Sequence, residues 1–200
     1  MGRWLVSTLL LGAALLLGSL VQGPALIAAD VALATPVLLR ADAAPPALIA
    51  FMQGISWFGG GIPRWTLALF LVALLWRKAG RRPALLLACT AVAANLASSV
   101  LKNIFDRPRP SLIPHLDQVS SWSYPSGHAT SVTAIALLLA LLAPRPWRRV
   151  AAWCAAAAIL STALSRVMLG VHWPSDVLGG TMLGAAFAFA AAGTDRRVRR

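Results

Sequence analysis

The chain has 200 residues, 58% of them hydrophobic and 12% charged, with a mean hydropathy of +0.73 and a formal net charge of +12. Such a composition is far from that of an ordinary soluble domain, and the length allows one domain, 1–200. Several apolar runs approach the ~20 residues that cross ~30 Å of hydrocarbon, so the sequence reads as an integral membrane protein in which the cations mark topology rather than a nucleic-acid surface.

The first expected span covers 4–21, with Arg3 before it. At ~18 apolar residues it suits a retained anchor better than a cleaved leader. From 22 to 61 the pattern loosens: Asp30, Arg40, Asp42, Pro24, Pro36, Pro45 and Pro46 interrupt it. Short amphipathic or interfacial helices outside the membrane are expected there, ending at an interface and a turn at Trp57-Phe58-Gly59-Gly60-Gly61. Span two covers 62–76, with a start that can lie inside the Trp57 region, and a cationic turn follows at 77–83. Span three is 84–101, then comes a polar loop at 102–127. Span four is 128–143, span five 150–164 after the turn 144–149, and span six 176–193 after the short loop 165–175. The expected fold is all-α: a six-span bundle with a short extracytoplasmic interfacial helical segment. Cys89 and Cys154 fall inside apolar spans and are expected as small core residues, not as a disulfide or metal pair.

Six spans put both termini on one side. On that side stand twelve Lys and Arg residues, including Arg77, Lys78, Arg81, Arg82, Arg145, Arg148, Arg149 and the tail 195–200, against six on the other. Cytoplasmic termini in a multi-pass cell-membrane protein follow. The tail is an anchor that can also touch anionic lipid.

Loops 102–127 and 165–175 are separated by two spans, so they share the extracytoplasmic face. They carry the candidate chemistry. Lys102, Arg107, Arg109 and Arg166 are candidate phosphate-binding cations, since guanidinium grips phosphate bidentately and ammonium supplies a point charge. Lys102 and Arg109 flank a turn forced by Pro108 and Pro110; alternatively they are juxtamembrane charges snorkelling to water. In Pro125-Ser126-Gly127-His128, the Ser126 hydroxyl and the amides from Gly127 onward would face an anion at a helix start. Alternatively Ser126 is only an N-cap and His128 an interfacial histidine. His172 and Asp176 stand four apart, so the carboxylate can fix the imidazole tautomer and leave the other nitrogen nucleophilic. Asp176 also reads as a helix N-terminal acid favoured by the dipole, and both roles can hold together. His115 lies mid-loop without a clear partner, and Asp106 and Asp117 read as solvated loop acids. No HExxH pattern or cysteine pairing is present, and the neighbouring cations would repel a metal ion.

Taken together, Lys102-x6-Arg109-Pro110, Pro125-Ser126-Gly127-His128 and Ser165-Arg166-x5-His172-x3-Asp176 resemble the three-part signature of the type 2 phosphatidic acid phosphatase superfamily. The signature covers 102–176, the six-span layout extends the likeness to most of the chain, and 22–61 carries no part of it. The resemblance implies a metal-independent, cofactor-free phosphatase working through a phosphohistidine. His172 is then the nucleophile, Asp176 orients and polarises it, and His128 protonates the leaving oxygen. Lys102, Arg109, Ser126, Gly127 and Arg166 bind the phosphoryl oxygens, where fixed positive groups stabilise a charge-spreading transition state. A site at the rim of a bundle suits a lipid phosphate of the outer leaflet: undecaprenyl diphosphate first in a bacterial cell, then phosphatidic acid or phosphatidylglycerol phosphate. The rival reading is a non-catalytic lipid-binding or transport protein, although a transporter would hold its charges near the midplane rather than at span ends.

Overall fold

Proline and glycine cut the apolar sequence into eight α-helices in the computed structural model of the chain, which describes residues 2–194. The basic tail 195–200, expected as an anchor, lies outside the described residues. The helices are α1 (Gly2–Leu20), α2 (Pro24–Ala34), α3 (Pro46–Gly59), α4 (Gly61–Ala79), α5 (Arg81–Phe105), α6 (Gly127–Leu142), α7 (Arg148–Met168) and α8 (Pro174–Thr194). Proline opens α2, α3 and α8, where its missing N–H removes no intrahelical bond. No strand occurs among the described residues.

Four helical stretches are long and apolar enough to cross a membrane: Gly2–Leu20, Arg81–Phe105, Arg145–Met168 and Pro174–Thr194. Helices α3 and α4 pass that test together, as a pair bent by 55° at the glycines that were expected to make a turn. Every expected span is a helix, but α6 has only 16 residues. At 1.5 Å per residue it falls short of ~30 Å of hydrocarbon. Length and composition alone therefore give four or five crossings.

The outer surface is apolar, with Leu9, Leu16, Phe70, Trp153 and Leu160 all exposed. Water would not tolerate such a surface over whole helices, whereas lipid does. This is a membrane protein. Cys89 and Cys154 are free and exposed on α5 and α7, not in the core as expected. A helix facing hydrocarbon needs only an apolar outer face, and a thiol satisfies that as well as a core position does.

At the centre is α8, half of whose membrane-crossing window is buried, against 17% for α1. Its inner face is built from glycine and alanine. A Cβ at Gly184 would come within 2.3 Å of the Thr130 carbonyl oxygen on α6, so only glycine permits this approach. In lipid, where apolar burial drives little helix association, such close backbone packing supplies the attraction. On another side α1 runs antiparallel to α8, with Ser7 Oγ donating to Ala186 O at 2.8 Å and Arg3 Nη1 to Ala192 O at 3.2 Å. Arg82 donates to Thr194 O. The basic turns and both ends of the described chain thus gather at one end of the bundle. The C-termini of α5 and α7, the N-termini of α4, α6 and α8, and the loop 106–126 gather at the other.

Candidate active site

At this second end a cavity of about 440 Å³ is bordered by all three polar runs: Lys102 and Arg109, Gly127 and His128, and Arg166 and His172. Arg64, Asn95 and Ser98 complete much of the wall. Two of the expected site residues stand behind it. Asp176 is fully buried beneath His172, and Ser126 is fully buried at the N-cap of α6. The Ser126 hydroxyl makes no capping bond and has no hydrogen-bond partner.

His172 is held from both sides. Its Nδ1 lies 3.3 Å from Asp176 Oδ2 and 3.4 Å from Ser123 Oγ. The Ser123 hydroxyl donates to the same carboxylate oxygen, as does the Trp173 amide at 2.8 Å. On the other side, His172 Nε2 lies 3.3 Å from Arg109 Nη1. A proton on Nδ1 facing the carboxylate leaves the Nε2 lone pair on the side of Arg109. Burial first, then the charges of Arg109, Arg166 and Lys102, hold His172 well below the usual histidine value, so the ring is neutral at pH 7. Arg109 is anchored by Nε to Ser121 O at 2.7 Å and by Nη1 to Val171 O at 2.6 Å. Burial and the nearby Arg166 push its pKa down to about 10, which leaves it protonated at neutral pH.

Arg107 was one of four candidate cations but not in the set that the resemblance assigns to phosphate, and the structure places it behind the cavity. Its side chain is 2% exposed and bridges two buried carboxylates: Nη2 to Asp30 at 2.7 Å and Nη1 to Asp176 at 2.6 Å. Ser175 joins them, accepting from Arg107 Nη1 and donating to Asp30. An arginine already facing two carboxylates has no field left for a phosphate. Residues 106–110 form no regular strand, so the two-residue spacing does not hold both side chains on one face, and each turns to its own partners: buried carboxylates for Arg107, the carbonyls of Ser121 and Val171 for Arg109.

Asp117 was expected to be solvated, but it accepts from Arg166 Nη1 at 2.5 Å and Ser56 Oγ at 2.6 Å. Burial raises its pKa, yet the Ser56 hydroxyl and Arg166 outweigh that and hold it below the usual carboxylate value. Arg166 thus reaches the cavity with one counter-ion attached. His115 does have a partner: its Nε2 lies 2.7 Å from Pro110 O, pinning the loop. Asp106 is exposed, as expected, and accepts from Gln22 at 3.2 Å. Lys102 donates to Trp122 O. His128 lies against the α3–α4 bend, where a Cβ on Gly60 would come within 2.5 Å of Nε2. Glycine there makes room for the ring.

Sequence reasoning missed Ser123, Asp30 and Arg64. Asp30 had a signal: it is the one charge in the helix Pro-Ala-Leu-Ile-Ala-Ala-Asp-Val-Ala-Leu-Ala of α2, and a carboxylate on such a helix needs a partner. Ser123 and Arg64 look like ordinary polar residues until the loop and the bend bring them to the site.

Comparison with known proteins follows the same geography. The sequence pattern of the PAP2 superfamily matches residues 83–200. A decaprenylphosphoryl-5-phosphoribose phosphatase from Mycobacterium tuberculosis is 35% identical over 143 residues, 70% of this chain and 76% of the relative. Phosphatidylglycerophosphatase B from Bacillus subtilis is 33% identical over 111 residues, 52% of this chain and 54% of the relative. The crystal structure of a transmembrane PAP2 type phosphatidylglycerolphosphate phosphatase from Bacillus subtilis superposes with a TM-score of 0.85 at 27% identity, over 97% of this chain and 98% of the other.

Proposed function

The chain belongs to the PAP2 superfamily and is a phosphatase of lipid phosphates, and from that premise we propose that it cleaves its substrate through a phosphohistidine at His172. The observation that carries this reading is the environment of His172: a neutral ring with a carboxylate behind Nδ1, a guanidinium beside Nε2, and a second histidine on the same cavity wall. In this reading Nε2 attacks phosphorus, and the bond from phosphorus to the lipid oxygen breaks with its electron pair leaving on that oxygen. His128 supplies the proton. Water then attacks the phosphohistidine, His128 takes a proton from it, and inorganic phosphate leaves with His172 restored. Asp176 balances the charge that develops on the imidazole.

Lys102, Arg109 and Arg166, with the α6 amides from Gly127 onward, bind the phosphoryl oxygens as charge spreads over them. Ser126, whose buried hydroxyl at that helix start has no hydrogen-bond partner, belongs to the same phosphate-binding set. No step calls on a metal ion or cofactor. The whole chain acts as a single membrane domain with six crossings, α6 being the short one, and with α2 and α3 as the interfacial segment. Termini in the cytoplasm and an outward-facing cavity are supported by the basic end of the bundle, which the positive-inside rule assigns to the cytoplasm.

The substrate reading is a prenyl-linked lipid phosphate, with undecaprenyl diphosphate as its leading member. Phosphatidic acid and phosphatidylglycerol phosphate are the alternatives. The relative covering 70% of the chain favours decaprenylphosphoryl-5-phosphoribose as a second prenyl-linked substrate. Relatives named as phosphatases weigh against a non-catalytic lipid-binding or transport protein of the same fold, and phosphate release separates the two readings. The test is phosphate release by the purified protein in detergent from these lipids and a soluble ester, with excess EDTA throughout. Turnover persists with EDTA, and folded His172→Ala falls to background. Full activity of folded His172→Ala, or loss on chelation that Mg²⁺ restores, overturns the mechanism.

A further inference from the structure

Four arginines lie in or behind the cavity, and they differ in their counter-ions. Arg107 faces Asp30 and Asp176, and Arg166 faces Asp117. Arg109 lies beside His172 and is held by backbone carbonyls. Arg64, in the first turn of α4, pairs with no carboxylate among the described residues. Its Nη1 donates to Ser131 Oγ at 3.0 Å, its guanidinium carbon lies 5.1 Å from the Trp65 ring centre, and its Nε is buried with no partner. Facing the same space on α5 are Asn95 and Ser98, the latter 2% exposed with a hydroxyl that also lacks a partner. A half-buried guanidinium at the head of an apolar helix is costly without a counter-ion. Two orphaned polar groups on one cavity wall point to a ligand that carries oxygens.

Position says which part of the ligand that is. Arg64 stands one helical turn beyond Gly60, the residue against which His128 rests, and its amide bonds to the Gly60 carbonyl at 3.2 Å. Its partner Ser131 is three residues after His128, on the same face of α6. In an in-line displacement the nucleophile and the leaving oxygen stand on opposite sides of phosphorus. With His172 attacking and His128 protonating the leaving oxygen, the leaving group extends past His128 toward Arg64. Lys102, Arg109 and Arg166 serve the phosphoryl group that is transferred.

We propose that Arg64, with Asn95 and Ser98, forms a second anion subsite that binds a phosphate retained by the leaving lipid, so that the enzyme prefers lipids with a further phosphate between the scissile group and the tails. This rests on the roles given above to His172 and His128. A lipid diphosphate or a phosphodiester-linked phosphate fits; phosphatidic acid, whose leaving group is uncharged, leaves Arg64 unpaired.

The test is kcat/KM of the purified full chain for undecaprenyl diphosphate, phosphatidylglycerol phosphate and phosphatidic acid, in wild type, Arg64→Gln and Arg64→Lys. Losing one charge-assisted contact lowers kcat/KM for the two-phosphate lipids about 10- to 100-fold, while phosphatidic acid changes less than about threefold. Arg64→Lys, which keeps the charge, recovers part of the loss and serves alone if Arg64→Gln does not fold. An equal loss on all three lipids, or no loss on any, overturns the subsite. A larger effect on the diphosphate than on the phosphodiester locates the second phosphate next to the leaving oxygen, and the reverse locates it farther out. His172→Ala, run on the same lipids, separates the two ideas: turnover by that variant removes the mechanism itself, whatever Arg64 does.

Discussion

Arg107 and Arg109 stand two residues apart in one loop, and Asp176 and His172 lie between the two environments they occupy. Behind His172, Arg107 is sealed among Asp30, Ser175 and Asp176. In front, Arg109 is tied by its Nε and Nη1 to backbone carbonyls and lines an open cavity beside Nε2 of His172. The two guanidiniums are chemically identical. One is spent on fixing a carboxylate, and the other is left with its field directed at a cavity. Counter-ions and burial, rather than residue type, assign a cation to architecture or to substrate. The same distinction separates Arg64 from Arg166.

The sharpest way to break this comparison is to remove each arginine in turn. Arg109→Met lowers kcat/KM by about 10²–10³, as loss of one transition-state donor does. It leaves thermal stability nearly intact, because Ser121 O and Val171 O can turn to water at the cavity edge. Arg107→Met does the opposite first: it strands two buried carboxylates and lowers unfolding stability by about 3–5 kcal/mol. Parallel thermal unfolding and phosphate-release curves check both, and equal stability losses would erase the distinction.

Ser123 tests the boundary between the two environments. Ser123→Ala removes one of the donors to Asp176, for a stability loss of about 1–3 kcal/mol. Because that carboxylate orients His172, kcat falls while KM holds. A change in KM alone would show that Ser123 touches substrate rather than positioning His172.

The smallest effect is that of pH. The folded chain keeps His172 neutral where the unfolded chain, with an ordinary value of 6.5, takes up a proton. Below about pH 6.5 the unfolded state therefore binds more protons, and stability falls as the pH drops. The contribution is about 1 kcal/mol by about pH 5.5, and His172→Gln removes it. Thermal unfolding at pH 7.5 and 5.5 for both proteins measures the difference. An identical slope would place the ring in water.

The sequence by itself determined the helices, the membrane habit and the three runs that meet at the cavity. Apolar run length, proline placement and short basic turns are local signals, and Lys102, Arg109, His128, Arg166, His172 and Asp176 fall within three short runs of sequence. Asp176 behind His172 was legible because only four residues separate them, across the start of α8. Only the tertiary structure decided the counter-ions. Asp30 reaches Arg107 across 77 residues, Asp117 reaches Arg166 across 49, and Ser123 meets Asp176 across 53. No periodicity encodes such pairs, since they depend on how α2, α3 and the loop 106–126 fold over the end of the bundle. Arg64 belongs to the same class: its identity is in the sequence, but its lack of a carboxylate partner beside a shared cavity is a property of the packed bundle alone.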